Sequence, residues 1–174
     1  MIGAIIGDIV GSRFEFNNHR DKDFELFTED CRVTDDSIMT LAVAKAIMET
    51  EKIIKPLTGG YNSDYYTLIE KMTIKYMQEI GRKYPNCGYG TMFSKWILSD
   101  DPQPYNSFGN GAAMRISPVG FAARTESEAC RLSEAVTGVT HNHDEGLKGA
   151  EATAVAIYMA RIGSTKKEIR ERIE

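Results

Sequence analysis

The sequence predicts an all-α fold, and two observations support that prediction. Apolar residues recur every three or four positions in nearly every patterned segment, which is the period of one helix face. The alternating apolar and polar runs that are typical of half-buried strands are scarce. With 174 residues, of which 42% are hydrophobic and 26% charged, the chain fits one globular domain over residues 1–174, whose core needs no disulfide.

Four segments carry the helical period. The most apolar one contains only Thr40 and Lys45 as polar members, which predicts a helix buried on most sides. The segment over residues 126–136 is shorter than the others, and its apolar period is weaker. The four predicted helices cover residues 38–48, 64–80, 126–136 and 145–161. Turn-forming residues predict loops over residues 56–60, 83–90 and 100–111.

The opening segment is rich in glycine. Gly3, Gly7 and Gly11 recur at i+4, so a helix would place them on one face. Each interior glycine costs about 1 kcal/mol relative to alanine, and close approach of another backbone is the usual compensation. A glycine-rich loop is the alternative. Either structure would deliver Asp8 and Glu15 to the position where the segment ends.

The end of the chain predicts one further helix. Thr165 and Glu168 match a capping box, and Ile169 and Ile173 then define one apolar face. The sequence stops at Glu174, about one turn later, with neither a glycine nor a proline to end the helix. This pattern indicates a domain truncated at its C-terminus.

Charge and cysteine content exclude several classes of protein. A net charge of −4 gives no basic surface for nucleic acid. The three cysteines are far apart in the sequence, which argues against a disulfide framework or a zinc cluster and favours a cytoplasmic location. The apolar N-terminus lacks a basic region and is interrupted by Asp8, so it is a poor signal peptide. No stretch approaches the roughly 20 apolar residues that a membrane span requires.

Acidic residues cluster before the first long helix. Thr34, Asp35 and Asp36 stand at its predicted start, where non-helical dihedrals let consecutive side chains converge. A hydroxyl and two carboxylates form a hard oxygen set that suits Mg²⁺ or Mn²⁺. The alternative is an ordinary helix start, in which the acids stabilise the helix dipole. Glu15 is either a general base or a solvated surface acid.

Two further segments combine small and polar residues. Residues 109–115, which read Gly-Asn-Gly-Ala-Ala-Met-Arg, would let backbone amides approach a diphosphate, with a following helix N-terminus adding a favourable dipole. A tight turn between helices is the alternative. His141 and His143 precede another long helix. They suggest a metal site at first, but zinc is disfavoured, and a histidine that hydrogen-bonds a neighbouring helix is the alternative.

These motifs, in this order, resemble those of the ADP-ribosylglycohydrolase family. The resemblance rests on residues 3–12 with Glu15, on residues 34–36, on residues 109–115, and on residues 140–143 with Gly149 and Ala150. It runs from residue 3 to about residue 160 and corresponds to the N-terminal two-thirds of the family domain. It implies a compact, orthogonal all-helical domain with a two-metal centre of Mg²⁺ or Mn²⁺. It also implies the removal of ADP-ribose from modified protein side chains or small molecules.

Site residues follow from the resemblance motif by motif. Thr34, Asp35 and Asp36 resemble the metal ligands, and Glu15, with Asp35 and Asp36, resembles the catalytic acids. The remaining matched positions resemble the substrate-binding residues of the family. These are Gly88, Tyr89, Gly90, Ser107, Phe108, Gly109, Asn110, Gly111, Met114 and His141.

One family motif has no counterpart. The family carries an acidic Gly-Asp-Ser-Asp-Thr motif near its C-terminus, whereas Asp144 is the only aspartate in residues 116–174. The missing ligands were removed with a C-terminal part, come from a separate chain, or were lost together with hydrolysis. The sequence therefore leaves three alternative functions, of which the first is the leading hypothesis. They are a hydrolase whose site is completed by a further segment, a module that binds ADP-ribose without cleaving it, and a structural helical protein.

Overall fold

The computed structural model describes residues 1–58 and 62–174, and within them the chain is helical and contains no strand. The all-α prediction is confirmed. A 3₁₀ turn at Ser12–Phe14 follows the first helix. The α-helices of the described residues are α1 (Ile2–Gly11), α2 (Asp35–Thr58), α3 (Ser63–Gly81), α4 (Thr91–Leu98), α5 (Ser117–Ala122), α6 (Glu126–Gly138), α7 (Asp144–Arg161) and α8 (Lys166–Ile173).

Helix α2 is longer than its apolar pattern predicted. The pattern ended at residue 48 because polar residues follow it, but the helix continues, with Thr50 buried and the charged residues on its outer face. Glu49 there pairs with Lys45 at 2.7 Å and with Lys52 at 2.8 Å. The predicted loop at residues 56–60 is therefore wrong for residues 56–58, which belong to α2. Residues 59 and 60 lie outside the described part of the chain.

Two short helices were not predicted. Helix α4 has eight residues and buries Phe93, Trp96 and Ile97, whereas α5 has six residues with Pro118 in its first turn. Segments this short show at most two repeats of the helical period, so their patterns are weak. A helix does follow the glycine run, as expected, but residues 110–115 form consecutive turns and α5 begins only at Ser117.

Most of the core lies where α2 packs against α3 and where α7 packs against α5 and α6. Met39 and Val43 of α2 and Tyr65 and Met77 of α3 have no solvent-accessible surface. Leu132 of α6 is equally buried. The capping box predicted for the last helix is present, with Thr165 and Glu168 at the start of α8. In the part of the chain that the structure describes, no helix is long and apolar enough to span a membrane.

Helix α1 confirms the helical interpretation of the opening segment, but the expected close approach of another backbone is not found. A Cβ added at Gly3, Gly7 or Gly11 would meet no atom from outside the helix within 4 Å among the described residues. Ile2 and Ile6 are 75% and 44% exposed. The apolar face of α1 is therefore open, and only Val10 of this helix is buried.

Candidate functional site

The carboxylate of Asp8 fixes the start of α2. Its Oδ2 accepts hydrogen bonds from the backbone amides of Thr34 at 3.0 Å and Ser37 at 3.2 Å, and its Oδ1 accepts from the Thr34 hydroxyl. Amides at a helix start have no partner within the helix, so an acidic residue there satisfies donors and stabilises the positive end of the helix dipole. Asp8 of α1 thus caps the start of α2.

Asp35 and Asp36 lie in the first turn of α2, where both are half-buried. Burial and the neighbouring charge of Asp36 raise the pKa of Asp35 to about 6, with smaller contributions from Glu15 and Asp8. Burial also raises the pKa of Asp36, together with the charges of Asp8 and Glu15. The four carboxylates therefore lie close enough to repel one another, and a bound cation would relieve that repulsion.

Glu15 reaches this group because α1 is tied to the residues before α2. The hydroxyl of the buried Ser12 donates to the carbonyl of Ile9 at 2.8 Å and accepts from the amide of Arg32 at 2.9 Å. Glu15 follows directly after the 3₁₀ turn and is exposed. An exposed carboxylate beside two half-buried ones is placed to accept a proton from a molecule that enters from solvent.

The segment after α3 covers one side of the acidic group. The amide of Asp35 donates to the carbonyl of Cys87 at 2.8 Å, so the chain passes directly beside the start of α2. Gly88 has φ of +101°, and a Cβ there would lie 3.2 Å from Oδ1 of Asp35. Gly88 therefore allows the backbone both its conformation and its approach to the carboxylate. Tyr89 lies close by, since the charge of Asp35 contributes, after burial and Cys87, to its raised pKa.

Replacing Gly88 by alanine should destabilise the fold and weaken the acidic site. The positive φ disfavours a side chain by about 1–3 kcal/mol, and the added Cβ would press on the Asp35 carboxylate. Gly90→Ala is the matched control, because Gly90 has φ of −60° and no atom within 4 Å of an added Cβ. Urea denaturation should show the loss for Gly88→Ala and a change within about 0.5 kcal/mol for Gly90→Ala. Equal stability of the two variants would contradict this role.

A second group forms where the loop before residue 111 meets the segment before α7. The amide of Tyr105 donates to the carbonyl of Thr140 at 3.2 Å, and the amide of Asn106 donates to Oδ1 of Asn142 at 2.7 Å. A Cβ at Gly146 would lie only 2.8 Å from the carbonyl oxygen of Ser107, so this glycine lets the loop lie directly on the first turns of α7. The two segments are therefore held together by backbone contacts.

The glycine run forms the open side of this second group. The amide of Gly109 donates to the Ser107 hydroxyl at 3.2 Å, and the amides of residues 112–114 donate to the carbonyls of Gly109 and Asn110. Within residues 1–58 and 62–174, the amides of Asn110 and Gly111 find no acceptor. Phe108 is 72% exposed, and its ring centroid lies 5.2 Å from that of His143. Two free amides beside an exposed aromatic ring suit an anion attached to a planar group.

The two histidines have different roles. His143 is the N-cap of α7, where its Nδ1 accepts from the amide of Glu145 at 3.1 Å, so it satisfies the helix-capping alternative. His141 is buried, and its Nε2 would lie 2.9 Å from a Cβ added at Gly111. Burial, reinforced by the charge of Arg115, lowers the pKa of His141 to about 4. His141 is therefore a neutral ring directly against the glycine turn at physiological pH.

The depressed pKa of His141 predicts a pH-dependent stability. In the unfolded chain the imidazole titrates near pH 6.5, whereas in the fold it takes up its proton only near pH 4. Between these values the unfolded state binds more protons, so the free energy of unfolding falls with falling pH by up to about 1.4 kcal/mol per pH unit. Urea titrations from pH 7 to pH 4.5 should show a shallower pH dependence for His141→Gln. An identical dependence in both proteins would contradict the assignment.

Helix α2 connects the two groups. Thr40, one turn after Asp36, donates its hydroxyl to the carbonyl of Met114 at 3.3 Å. Met114 otherwise packs against the main core. A second link runs through the core, where the ring of Phe93 lies 5.5 Å from that of Tyr89 and 5.6 Å from the Arg115 guanidinium. The acidic group and the glycine turn are thus joined at the N-terminal end of α2, which is the candidate site.

The structure therefore brings together most of the residues that the sequence indicated. The acidic group unites Glu15, Thr34, Asp35 and Asp36 with the segment that contains Gly88. The glycine turn lies against His141, while Phe108 lies against His143. Met114 contributes its carbonyl to a contact with α2. Four residues at the site were not singled out as site residues from the sequence. They are Asp8, Arg115, Thr140 and Gly146.

The donor set at the start of α2 is suited to a hard cation but is a partial one. Asp35 and Asp36 offer carboxylate oxygens, and burial, followed by the charges of neighbouring carboxylates, raises their pKa values. These are the ligands that Mg²⁺ and Mn²⁺ prefer. However, no three His, Cys, Asp or Glu side chains within the described ranges 1–58 and 62–174 are arranged to hold a metal ion. Further ligands would have to come from threonine, substrate, water or another polypeptide.

Comparison with known proteins identifies the family of this chain. The profile of the ADP-ribosylglycohydrolase family matches residues 1–174. The chain is 23% identical to ADP-ribosylhydrolase ARH3 of Xenopus tropicalis over 180 residues, and 24% identical to the human ARH3 over 194 residues. These alignments cover 97% of this chain but 51% and 50% of the two relatives, so the chain spans about half their length. The chain belongs to the ADP-ribosylglycohydrolase family.

Proposed function

We propose that this chain forms part of a metal-dependent hydrolase that removes ADP-ribose from ADP-ribosylated proteins or small molecules. The observation that carries the proposal is the joining of two groups at one end of α2. One group is a set of carboxylates whose burial and repulsion favour a cation. The other offers free amides, an exposed ring and a buried imidazole, which suit a nucleoside diphosphate. The names of the ARH3 relatives support the same activity.

Different residues of the chain would bind the ADP-ribosyl group and cleave its glycosidic bond. The amides of Asn110 and Gly111 would face the diphosphate, and the exposed ring of Phe108 would contact a planar base. The carboxylates at the start of α2 would lie beside the ribose whose glycosidic bond is cleaved. Positive charge develops on that ribose as the bond breaks, and nearby carboxylates stabilise it. Glu15, the exposed member of the group, is placed to take a proton from the attacking water.

Mg²⁺ or Mn²⁺ is the cofactor that fits the donor set. Thr34, Asp35 and Asp36 would hold it, because they supply adjacent oxygen ligands at the start of α2. When bound, such an ion supplies charge that neutralises the carboxylates and orients ribose hydroxyls. A two-metal centre requires more acids than these residues provide, in keeping with the partial ligand set in the described residues.

A further polypeptide segment would complete the site. The ARH3 relatives are about twice as long as the aligned region, and the present residues offer only part of a metal site. The open face of α1 lies on the helix that carries Asp8, and it exposes Ile2 and Ile6. An additional helix that packs on this face would cover both isoleucines. The segment would come from a continuation of this chain or from a separate chain.

A second candidate function is a module that binds ADP-ribose without cleaving it. The partial metal site favours this possibility, because the glycine turn and His141 involve none of the carboxylates. Such a module would bind ADP-ribose equally well with Mg²⁺ and with a chelator. A structural helical protein, the third function expected from the sequence, would show no increase in melting temperature with any nucleotide. The cytoplasmic location stays a prediction.

Release of free ADP-ribose tests the proposed function. ADP-ribosylated proteins and small molecules are incubated with the 174-residue chain, alone and together with a polypeptide that covers the C-terminal half of a family member. We expect release with Mg²⁺ and none with chelator, with more release when the second polypeptide is present. ADP-ribose binding without release in both mixtures would favour the binding module. If the chain neither binds ADP-ribose nor releases it from any substrate, both functions are contradicted.

A further inference from the structure

Arg115 is a buried guanidinium that no carboxylate of the described residues neutralises. It is 1% exposed, and burial lowers its pKa to about 10, while the nearby Tyr105 phenol opposes that effect. Across the part of the chain that the structure describes, no ion pair includes Arg115. A buried, unpaired charge is costly. Such a residue therefore needs a specific contact to explain its position, and the structure supplies one at Thr140.

The guanidinium determines how the hydroxyl of Thr140 is used. Nη2 of Arg115 donates to Oγ1 of Thr140 at 2.5 Å, and an arginine can only donate. The single hydroxyl hydrogen of Thr140 then has two acceptors within reach. The carbonyl oxygen of Thr137 lies 3.4 Å away, which is long for an O–H···O bond, whereas Nδ1 of His141 lies at 2.8 Å. The oxygen of Thr140 could also accept a second hydrogen bond, from Nδ1–H, but the shorter contact favours donation of the hydroxyl hydrogen to Nδ1.

This direction determines the tautomer of His141. A neutral imidazole has one donor nitrogen and one acceptor nitrogen, so an accepting Nδ1 leaves the proton on Nε2. Nε2 is the atom that lies against the glycine turn, 2.9 Å from a Cβ position at Gly111 and 4.0 Å from one at Gly109. The buried ring thus presents an N–H donor beside the free amides of the turn. The depressed pKa of His141 agrees with a neutral ring.

We propose that Arg115 and Thr140 are positioning residues that hold His141 as a neutral Nε2–H donor toward the Gly109–Gly111 turn. Neither residue touches the ligand. Their role rests on the proposed function only in that the molecule which accepts the Nε2 hydrogen bond would be an ADP-ribosyl group. The chain of hydrogen bonds itself is a property of the protein without ligand, so it can be measured separately.

The first measurement is the tautomer of His141 by long-range ¹H–¹⁵N correlation on the ¹⁵N-labelled chain. We expect the Nε2–H form in the unmodified protein at pH 7. Thr140→Val removes the hydroxyl but keeps the shape, and it should shift the ring toward the Nδ1–H form or a mixture. Thr140→Ser keeps the hydroxyl and should restore the Nε2–H pattern. The Nδ1–H form in the unmodified protein would overturn the proposal, whether or not the valine variant folds.

The second measurement is the affinity for ADP-ribose of the same three proteins by isothermal titration calorimetry. We expect Thr140→Val to bind about tenfold more weakly, because one hydrogen bond to a charged ligand is lost. Thr140→Ser should bind like the unmodified protein. Equal affinity of the valine variant and the unmodified protein would overturn the role of the residues in binding. An Nε2–H tautomer without ADP-ribose affinity in any protein would support the hydrogen-bond chain and contradict the proposed function.

Discussion

Asp35→Asn should abolish most of the affinity of this chain for a divalent cation. Asparagine keeps the shape of the side chain, and the backbone N–H of residue 35 still donates to the carbonyl of Cys87. The start of α2 should therefore be unchanged. The substitution removes the negative charge at the centre of the acidic group, where Asp36, Glu15 and Asp8 all act on it. Loss of a ligand should weaken Mn²⁺ binding by at least about 100-fold, the upper end of the effect of residues that only support ligands.

The measurement is a Mn²⁺ titration followed by electron paramagnetic resonance in the presence of ADP-ribose. Asp64→Asn is the matched control, because Asp64 is an exposed acid in the first turn of α3. Both substitutions remove one charge from a helix start, so effects of net charge and of helix dipole are shared. Equal Mn²⁺ affinity in the Asp35 and Asp64 variants would show that the acidic group is not a cation site.

Gly111→Ala should have the second-largest effect, and it acts on ligand binding. An added Cβ would lie 2.9 Å from Nε2 and 3.0 Å from Cε1 of His141, so the buried ring must move. A hydrogen bond from the ring to a charged ligand contributes about 1.5–3 kcal/mol, so its loss should weaken ADP-ribose binding roughly 10- to 100-fold. Calorimetric titration with ADP-ribose measures this change directly.

Gly109→Ala supplies the control for that variant. Its added Cβ would meet the Ser107 hydroxyl at 3.5 Å and Nε2 of His141 at 4.0 Å, which are ordinary contacts. We therefore expect the affinity for ADP-ribose to change by less than about threefold, which corresponds to roughly 0.5 kcal/mol. If both alanine variants bind as the unmodified protein does, the glycine turn is not where the ligand lies.

The fold class and the long helices could be predicted because their information is local. An apolar period over 10 or more residues identifies one face of a helix without reference to the rest of the chain. Helices α4 and α5 escaped prediction because eight and six residues show too little of the period. The continuation of α2 to Thr58 was missed because its outer face is polar, with Glu49 between two lysines.

The sequence motifs indicated which residues belong to the candidate site, but not the long-range contacts that hold them together. The order of motifs identified Asp35, Asp36 and the glycine run, each from a short stretch of sequence. The role of Asp8 depends on contacts with residues 26 and 29 positions later, which no local pattern reveals. The burial of Arg115 was equally hidden, because an arginine after a polar turn usually lies at the surface. A charged residue directly before the buried run at residues 116–120 was the one available signal.

Mapping of the ADP-ribose site by nuclear magnetic resonance tests the central claim most directly. Amide shifts of the ¹⁵N-labelled chain are followed during titration with ADP-ribose, with Mg²⁺ and then with chelator. We expect the largest changes at residues 109–111 and 140–143 in both series, and changes at Asp35 and Asp36 that depend on Mg²⁺. Changes centred instead on the cavity of about 600 Å³ lined by Tyr66, Arg131 and Leu147, or no changes at all, would contradict the account.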